Sequence, residues 1–416
     1  MRGCCAAGAE LERRMPREGV EVSIGSAGYP GGAAVLRNVS FTLRRGELLL
    51  IAGPSGSGKT TLILALTGVL TNLLGGFVEG LVRLFGVDPL TPEGFVEVPR
   101  LVGVVLQDPD KQIAMPYPID EVAFTLRNLG VGRYLEEAMR ALDEVGLRHK
   151  AFTETESLSG GEKKRLCVAA SIAHRPPLLI FDEPTANLDP RGVSRAVRYV
   201  REFVARGHAV IVIEHEARYF IDLADRILVL DEGRVAARFT RRDVESSRKG
   251  VMHSLESFGV DASPPRRGPT PLEAPRGPTA IEARGLWYCY ENGVCALRGI
   301  DLEVPRRSVF AVVGHNGSGK TTLLKVLTGL YRPTRGWVRV EGRDPSALGR
   351  FERPRTVFYV PQEPDYLFTS PRVEDEFRLV SEAVGRSVDA LLRAVSYTHL
   401  RAHETSLHLV CRLLLE

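Results

Sequence analysis

Eight residues, Gly53-Pro54-Ser55-Gly56-Ser57-Gly58-Lys59-Thr60, stand where an apolar run passes into a helix-forming run, and they recur as Gly314-His315-Asn316-Gly317-Ser318-Gly319-Lys320-Thr321. Both match GxxxxGK[ST]. That pattern demands a strand, a glycine-rich loop and a helix start in immediate succession, which restricts the chain to an α/β architecture. The glycines let backbone N–H groups turn inward around phosphate oxygens, and the helix N-terminus adds positive potential. Lys59 is placed to reach the outer phosphates, and Thr60, followed by Thr61, can ligate magnesium. Lys320, Thr321 and Thr322 repeat the arrangement in the second copy.

The repetition extends well beyond the loop. Tyr29 and Gly53 are 24 positions apart, as are Tyr290 and Gly314; Gln107 and Glu121 are 14 apart, as are Gln362 and Glu376. The chain therefore reads as a tandem duplication. Ser263 to Thr279, rich in proline and charge, reads as an extended linker. The expected layout is an N-terminal tail over 1–19, a first domain over 20–245, a linker over 246–279 and a second domain over 280–394. Short β-branched apolar runs (Leu48 to Ala52, Leu178 to Phe181, Ala209 to Ile213) alternate with longer helical stretches such as Tyr134 to Val145. This alternation indicates a parallel sheet covered on both faces.

Composition mainly excludes. The chain carries 55 basic and 51 acidic residues, net +4, too small a balance for whole-protein attraction to nucleic acid. Its six cysteines form no CxxC pair, so neither a disulfide framework nor a zinc site is expected, and a reducing cytoplasm fits. Thr60 to Val78 is uncharged, but Gly68, Asn72, Gly75 and Gly76 break it, so it reads as a buried helix and loop rather than a membrane span. Met1 to Arg17 lacks the apolar core of a signal peptide.

Two further motifs carry chemistry. Ile180-Phe181-Asp182-Glu183 ends an apolar strand on adjacent carboxylates, which can divide the work: Asp182 orients magnesium and Glu183 polarises the attacking water. His215 follows another such strand, at the sheet edge where open α/β sheets bind ligands.

Leu158-Ser159-Gly160-Gly161-Glu162, some twenty residues before LLIFDEPTANLDP, resembles the signature of ATP-binding cassette (ABC) ATPases. The resemblance covers roughly 20–245 and 280–394. It implies a P-loop NTPase of the ABC type, a parallel-sheet core with antiparallel β and helical subdomains, duplicated. It further implies that Gln107 and Gln362 link the γ-phosphate and Mg2+ to the partner interface, and that Tyr29 and Tyr290 stack on adenine, although a loop tyrosine can also merely pack. Ala186 to Asp189 would cross the dimer interface and His215 would contact the γ-phosphate. In this family the signature of one domain faces ATP held by the P-loop of another, so a second ATPase domain or a homodimer is needed, and hydrolysis reopens the pair.

The second copy departs from the first. Gln107 precedes Ser159 by 52 positions, which puts a second signature near 414; it is absent, as are a second acidic strand end and a second switch histidine. The second domain is thus expected to be incomplete. Residues 395–416 resemble translated sequencing-adapter read-through and are expected not to be native.

QDPDKQ after Val104-Val105-Leu106, with DEVAFTLRNLG at Asp120 to Gly130, resembles the ATPases of energy-coupling-factor importers of vitamins, cobalt or nickel. In that subfamily the ATPase pair grips a transmembrane coupling subunit, and a small membrane subunit binds the cargo. The chain would then sit on the cytoplasmic face of the membrane, with no nucleic-acid partner. A soluble twin-cassette ATPase of translation or DNA repair, and another ABC transporter subfamily, are the alternatives.

Overall fold

The computed structural model describes residues 19–263 and 277–384, apart from 292, 315–316, 350–351, 362–366 and 371. The chain divides into two compact units, the first ending near Pro269. In chain order the strands of the first are β1 (Gly19–Gly28), β2 (Leu36–Arg44), β3 (Leu48–Ala52), β4 (Phe77–Leu84), β5 (Val102–Val105), β6 (Leu178–Asp182), β7 (Ala209–Glu214), β8 (Arg226–Asp231) and β9 (Arg234–Thr240).

The fully apolar runs become the middle of the main sheet, ordered β5-β6-β7-β3-β8-β9. All neighbours run parallel except β8 and β9, which pair antiparallel at the edge. Every residue of β3 and β7 is buried, as a strand covered on both faces requires. The alternation along β3 feeds two cores. Leu48 and Leu50 join Phe203 and the helical region, whereas Leu49 and Ile51 join Leu62 and Leu66 of the P-loop helix Lys59–Leu66. That helix is enclosed on its other side by a three-stranded antiparallel sheet, β2-β1-β4, through Val22, Val39 and Val82. A helical subdomain of Pro118–Asn128, Tyr134–Glu144 and Gly160–Ile172 packs through Val122, Leu126, Leu142 and Leu166. The expected ABC-type layout is therefore present. The uncharged stretch from Thr60 is indeed buried helix, but its last residues, Phe77 and Val78, begin β4 rather than lie in a loop.

One boundary is corrected. The linker was expected from 246, yet the helical segment Arg241–Ser257 spans that point, broken only by a kink at Ser247 (φ −153°, ψ 71°). Val251, Met252, Leu255, Val260 and Ala262 are buried in the first unit's core. Helically spaced apolar residues persist to 262, and the proline-rich composition starts only after them. Residues 264–276 lie outside the described residues, as do 1–18 and the tail 395–416.

The second unit pairs β10 (Thr279–Cys289), β11 (Cys295–Pro305) and β12 (Arg335–Val340) antiparallel in the order β11-β10-β12, against the helix Lys320–Leu327. Its core is Ala283, Leu286, Leu297, Leu323, Val326 and Val338. The run Val309 to Val313 repeats β3 in sequence but forms no strand, and Val309 and Val313 are 102% and 87% exposed. β3 is held by ladders to β7 and β8; among the described residues of the second unit no strand takes those places. A second correction concerns cysteine: Cys289 and Cys295 form a disulfide. A search for CxxC spacing passes over them because they are cross-strand neighbours in the β10–β11 hairpin. No helix among the described residues is long and apolar enough to cross a membrane.

Candidate nucleotide site

Because β3, β5, β6 and β7 are parallel, their C-terminal ends share one edge, and the loops leaving them carry Gly53 to Lys59, Gln107, Asp182 with Glu183, and His215. Residues scattered over more than 150 positions of sequence thus converge through topology alone.

The P-loop leaves β3 under tight sterics. A Cβ on Gly53 would stand 2.2 Å from the Leu230 carbonyl oxygen of β8, so only glycine fits between the strands. Gly58 caps the helix at φ 99°, a left-handed conformation that glycine adopts without strain. Gly56 also has positive φ, and Ser57 donates its N–H to Pro54 at 3.2 Å. The Ser57 hydroxyl is buried with no partner, an orphan polar atom aimed within the loop. Lys59 folds back over the cradle: its Nζ donates to the Gly53 and Pro54 carbonyls at 2.9 and 2.7 Å. Burial pulls its pKa down, opposed by the charges of Glu183, Asp182 and Glu214. Tyr29 lies beside the helix start, its hydroxyl 3.4 Å from Thr61 Oγ1.

Gln107 and His215 converge on one carboxylate. Gln107 Nε2 donates to Glu183 Oε2 at 2.8 Å, and His215 Nδ1 lies 3.5 Å from the same oxygen. Glu183 itself has φ 45°, a rare conformation for a side-chain-bearing residue, and its N–H is tied to the Ile213 carbonyl at 2.9 Å. The hydrogen bond from His215 holds the Glu183 carboxyl below its usual range, outweighing burial. Asp182 goes the other way, pushed up to about 6 by burial and then by the Glu183 charge, with Lys59 opposing. Adjacent carboxyls driven apart in this way are suited to different roles. Oxygen donors at Thr60 and Asp182, with an excess of negative charge at the strand end, suit a hard divalent cation such as Mg2+.

Glu214, the last residue of β7, was not singled out in the sequence. It is fully buried, and its Oε1 accepts from Thr185 N and Oγ1 at 3.0 and 2.5 Å, bracing the loop after Glu183 against the strand that carries His215. Its position ending an all-apolar strand was the available signal.

The signature begins the helix Gly160–Ile172. The Glu162 carboxylate accepts from the backbone N–H and hydroxyl of Ser159, both at 2.9 Å, and pairs with Lys150 at 2.6 Å. Against the opposing effect of burial, these partners bring Glu162 down to about 2. Leu158 is buried, whereas a Cβ on Gly160 or Gly161 would meet nothing within 4 Å. Lys164 Nζ reaches the Ala186 carbonyl at 2.5 Å, joining the signature helix to the loop after Glu183. Within the first unit, then, the P-loop, Gln107, Asp182, Glu183 and His215 gather at one edge, while Gly160 and Gly161 face open space.

In the second unit Gly317 and Gly319 have positive φ, and Lys320 Nζ donates to the Gly314 carbonyl at 2.8 Å. Thr321 follows at the helix start, and the Tyr290 hydroxyl lies 2.7 Å from Thr322 Oγ1. Gly314 carries Ser318 against it, 2.6 Å from where a Cβ would stand. His315, Asn316 and Gln362 lie outside the described residues.

The His215–Glu183 contact has a testable pH signature. His215 is raised above 6.5, first by its hydrogen bond to Glu183, with burial opposing. Its share of the stability is therefore complete below pH 6.5 and lost as pH rises through the elevated value, whereas the depressed Glu183 loses its share as pH falls below 4.5. An NMR titration of the nucleotide-free chain is expected to give His215 a midpoint above 6.5 that drops in Glu183→Gln. A midpoint indifferent to that substitution removes the pairing.

The sequence matches the ABC transporter family over residues 36–186 and again over 297–409. A protein named as an ABC transporter ATP-binding protein of Sulfurisphaera tokodaii is 33% identical over 356 residues, 84% of this chain and 72% of the relative. Another so named, from Methanosarcina acetivorans, is 31% identical over 378 residues, 89% of this chain and 71% of the relative. Among solved structures, cbiO1 of Clostridium perfringens, part of the transporter complex cbiONQ, is 27% identical, with a TM-score of 0.49 over 57% of this chain and 94% of that one. Two family matches in tandem, and relatives similar along most of their length, establish that the chain belongs to the ABC transporter family as an ATP-binding, ATP-hydrolysing protein.

Proposed function

We propose that the chain is the motor of an energy-coupling-factor importer, taking up a vitamin, cobalt or nickel through membrane subunits that it grips from the cytoplasmic side. The observation that carries the reading is the open signature. Gly160 and Gly161 have room for side chains in their own domain, so their bareness serves something that approaches from outside. A helix N-terminus with exposed glycine N–H groups suits a phosphate held by another P-loop. Glu183 then acts as base, His215 and Gln107 hold it and read the γ-phosphate, and Tyr29 and Tyr290 stack on adenine. Mg2+, held by Thr60, Asp182 and Gln107, and by Thr321 and Gln362 in the second copy, would neutralise charge on the phosphates.

The importer assignment rests on QDPDKQ and DEVAFTLRNLG, and their placement supports it. The loop at Asp108 leads into a groove of about 540 Å³ lined by Asp110, Ile113, Met115, Tyr117, Glu154 and Lys163. Phe124 and Phe152 nearby in sequence are 50% and 75% exposed, apolar surface of the kind a coupling subunit covers. Asp110 also pairs with Lys163 of the signature helix, which links the groove to the element that begins at Gly160.

Co-expression with the transmembrane coupling subunit and the small substrate-binding subunit of an energy-coupling-factor importer tests the assignment. A detergent-stable complex with ATP-dependent uptake is expected; a chain that purifies free of membrane proteins and follows ribosomes or DNA instead assigns the soluble twin-cassette reading.

A further inference from the structure

We infer that Cys289 and Cys295 form a thiol–disulfide pair that sets the nucleotide affinity of the second site and leaves the first untouched. The inference rests on Tyr290 as the adenine platform of that site.

The pair sits at the mouth of the β10–β11 hairpin, in direct cross-strand register. Between the two sulfurs lies the Tyr290 loop, in which the Tyr290 N–H donates to the Val294 carbonyl and the Gly293 N–H to the Tyr290 carbonyl, each at 2.9 Å. Cys289 immediately precedes Tyr290, so the covalent link fixes the backbone that aims the ring. With the link in place Tyr290 stands edge-on to Tyr288 and Tyr331, at 5.1 and 6.4 Å, and its hydroxyl is 2.7 Å from Thr322 at the P-loop helix.

The first copy supplies the internal control. Gly28 and Ala34 occupy the positions of Cys289 and Cys295, and there the Tyr29 hydroxyl stands 3.4 Å from Thr61. The two cysteines are half-buried, so a small thiol or disulfide can reach them. Cys167, the other described cysteine, is buried in the core and its thiol is pushed up to about 12 by burial, leaving it unreactive.

The reaction is ordinary thiol–disulfide exchange with a low-molecular-weight disulfide of the glutathione class. One cysteine thiolate attacks a sulfur of that disulfide and releases one small thiol; the second cysteine thiolate then attacks the mixed disulfide and releases the other. Two protein thiols are oxidised, one small disulfide is reduced, and the two protons pass to the released thiols.

The test uses the full chain carrying Lys59→Ala, so that binding reports the second site, equilibrated in reduced and oxidised glutathione at a series of ratios. The tryptic peptide spanning 285–298 contains both cysteines, and its loss of two hydrogens reads the pair directly. Oxidation is expected to tighten ATP binding about three- to tenfold, the gain from ordering one aromatic side chain beforehand, in step with that mass change. Cys289→Ser with Cys295→Ser should bind like the reduced chain at every ratio, and a Lys320→Ala chain, reporting the first site, should be indifferent to redox. A peptide that never loses its hydrogens, or binding equal or weaker when oxidised, overturns the coupling. Binding absent at the second site in both states instead removes the reading of Tyr290 as an adenine platform, and the coupling with it. The mass readout uses the native cysteines and stands even if the serine variants fold poorly.

Discussion

Glu183→Gln is expected to lower ATP turnover about 10²- to 10⁴-fold, the usual cost of removing a positioned general base, while ATP binding survives. The geometry separates the two effects. Glutamine keeps the shape and can still meet Gln107 Nε2, which now lies 2.8 Å from Glu183 Oε2, but it cannot take a proton from water. The charge lost at position 183 is also one of the causes that push Asp182 up to about 6, so Asp182 is more readily ionised in the variant and its hold on Mg2+ is kept or improved. Binding without hydrolysis should therefore prolong the ATP-bound, closed state. Turnover is measured in the assembled complex and affinity on the chain alone. Undiminished turnover rejects Glu183 as the base, and if His215→Ala alone abolishes the reaction, the base is the histidine.

How much of this was legible beforehand depended on how local each feature was. β3, β6 and β7 are continuous apolar runs, and each ends within a residue of where its pattern stops. The order β5-β6-β7-β3-β8-β9 is a matter of long-range pairing that no local pattern encodes, and it is what brings Gln107 to Glu183. Val309 to Val313 shows the same limit from the other side: a strand-like run stays exposed where, among the described residues, no strand pairs with it. The linker boundary was misplaced because charged residues between Arg241 and Lys249, and the kink at Ser247, interrupt the apolar pattern of Val244, Val251 and Leu255, all of which the core buries. Pairings such as Glu214 with Thr185, 29 positions apart, and Cys289 with Cys295 depend on tertiary contact or on hairpin register, which motif spacing does not report.

Lys59→Ala is expected to weaken ATP binding at the first site about 10- to 150-fold, the equivalent of about 1.5–3 kcal/mol for hydrogen bonds to a charged group. The fold should survive the change. Lys59 is 7% exposed, and its ammonium is held by the Gly53 and Pro54 carbonyls, so burial penalises its charged form. A lysine whose pKa is depressed by folding does not stabilise the fold through its charge, and alanine removes that penalty along with the two hydrogen bonds. Those carbonyls are also placeholders: phosphate oxygens entering the cradle give the ammonium charge-assisted partners in their stead, and this exchange is the energy the variant forfeits. Lys320, donating to the Gly314 carbonyl at 2.8 Å, makes the matching contact in the second copy, so total ATP binding should fall only in part in Lys59→Ala and nearly completely when Lys320→Ala is added. Isothermal titration of the two variants separates the sites. Unchanged affinity at the first site in a chain that unfolds at its normal temperature means that phosphate is not held by this loop, and the assignments of Gly53 through Thr60 fall together.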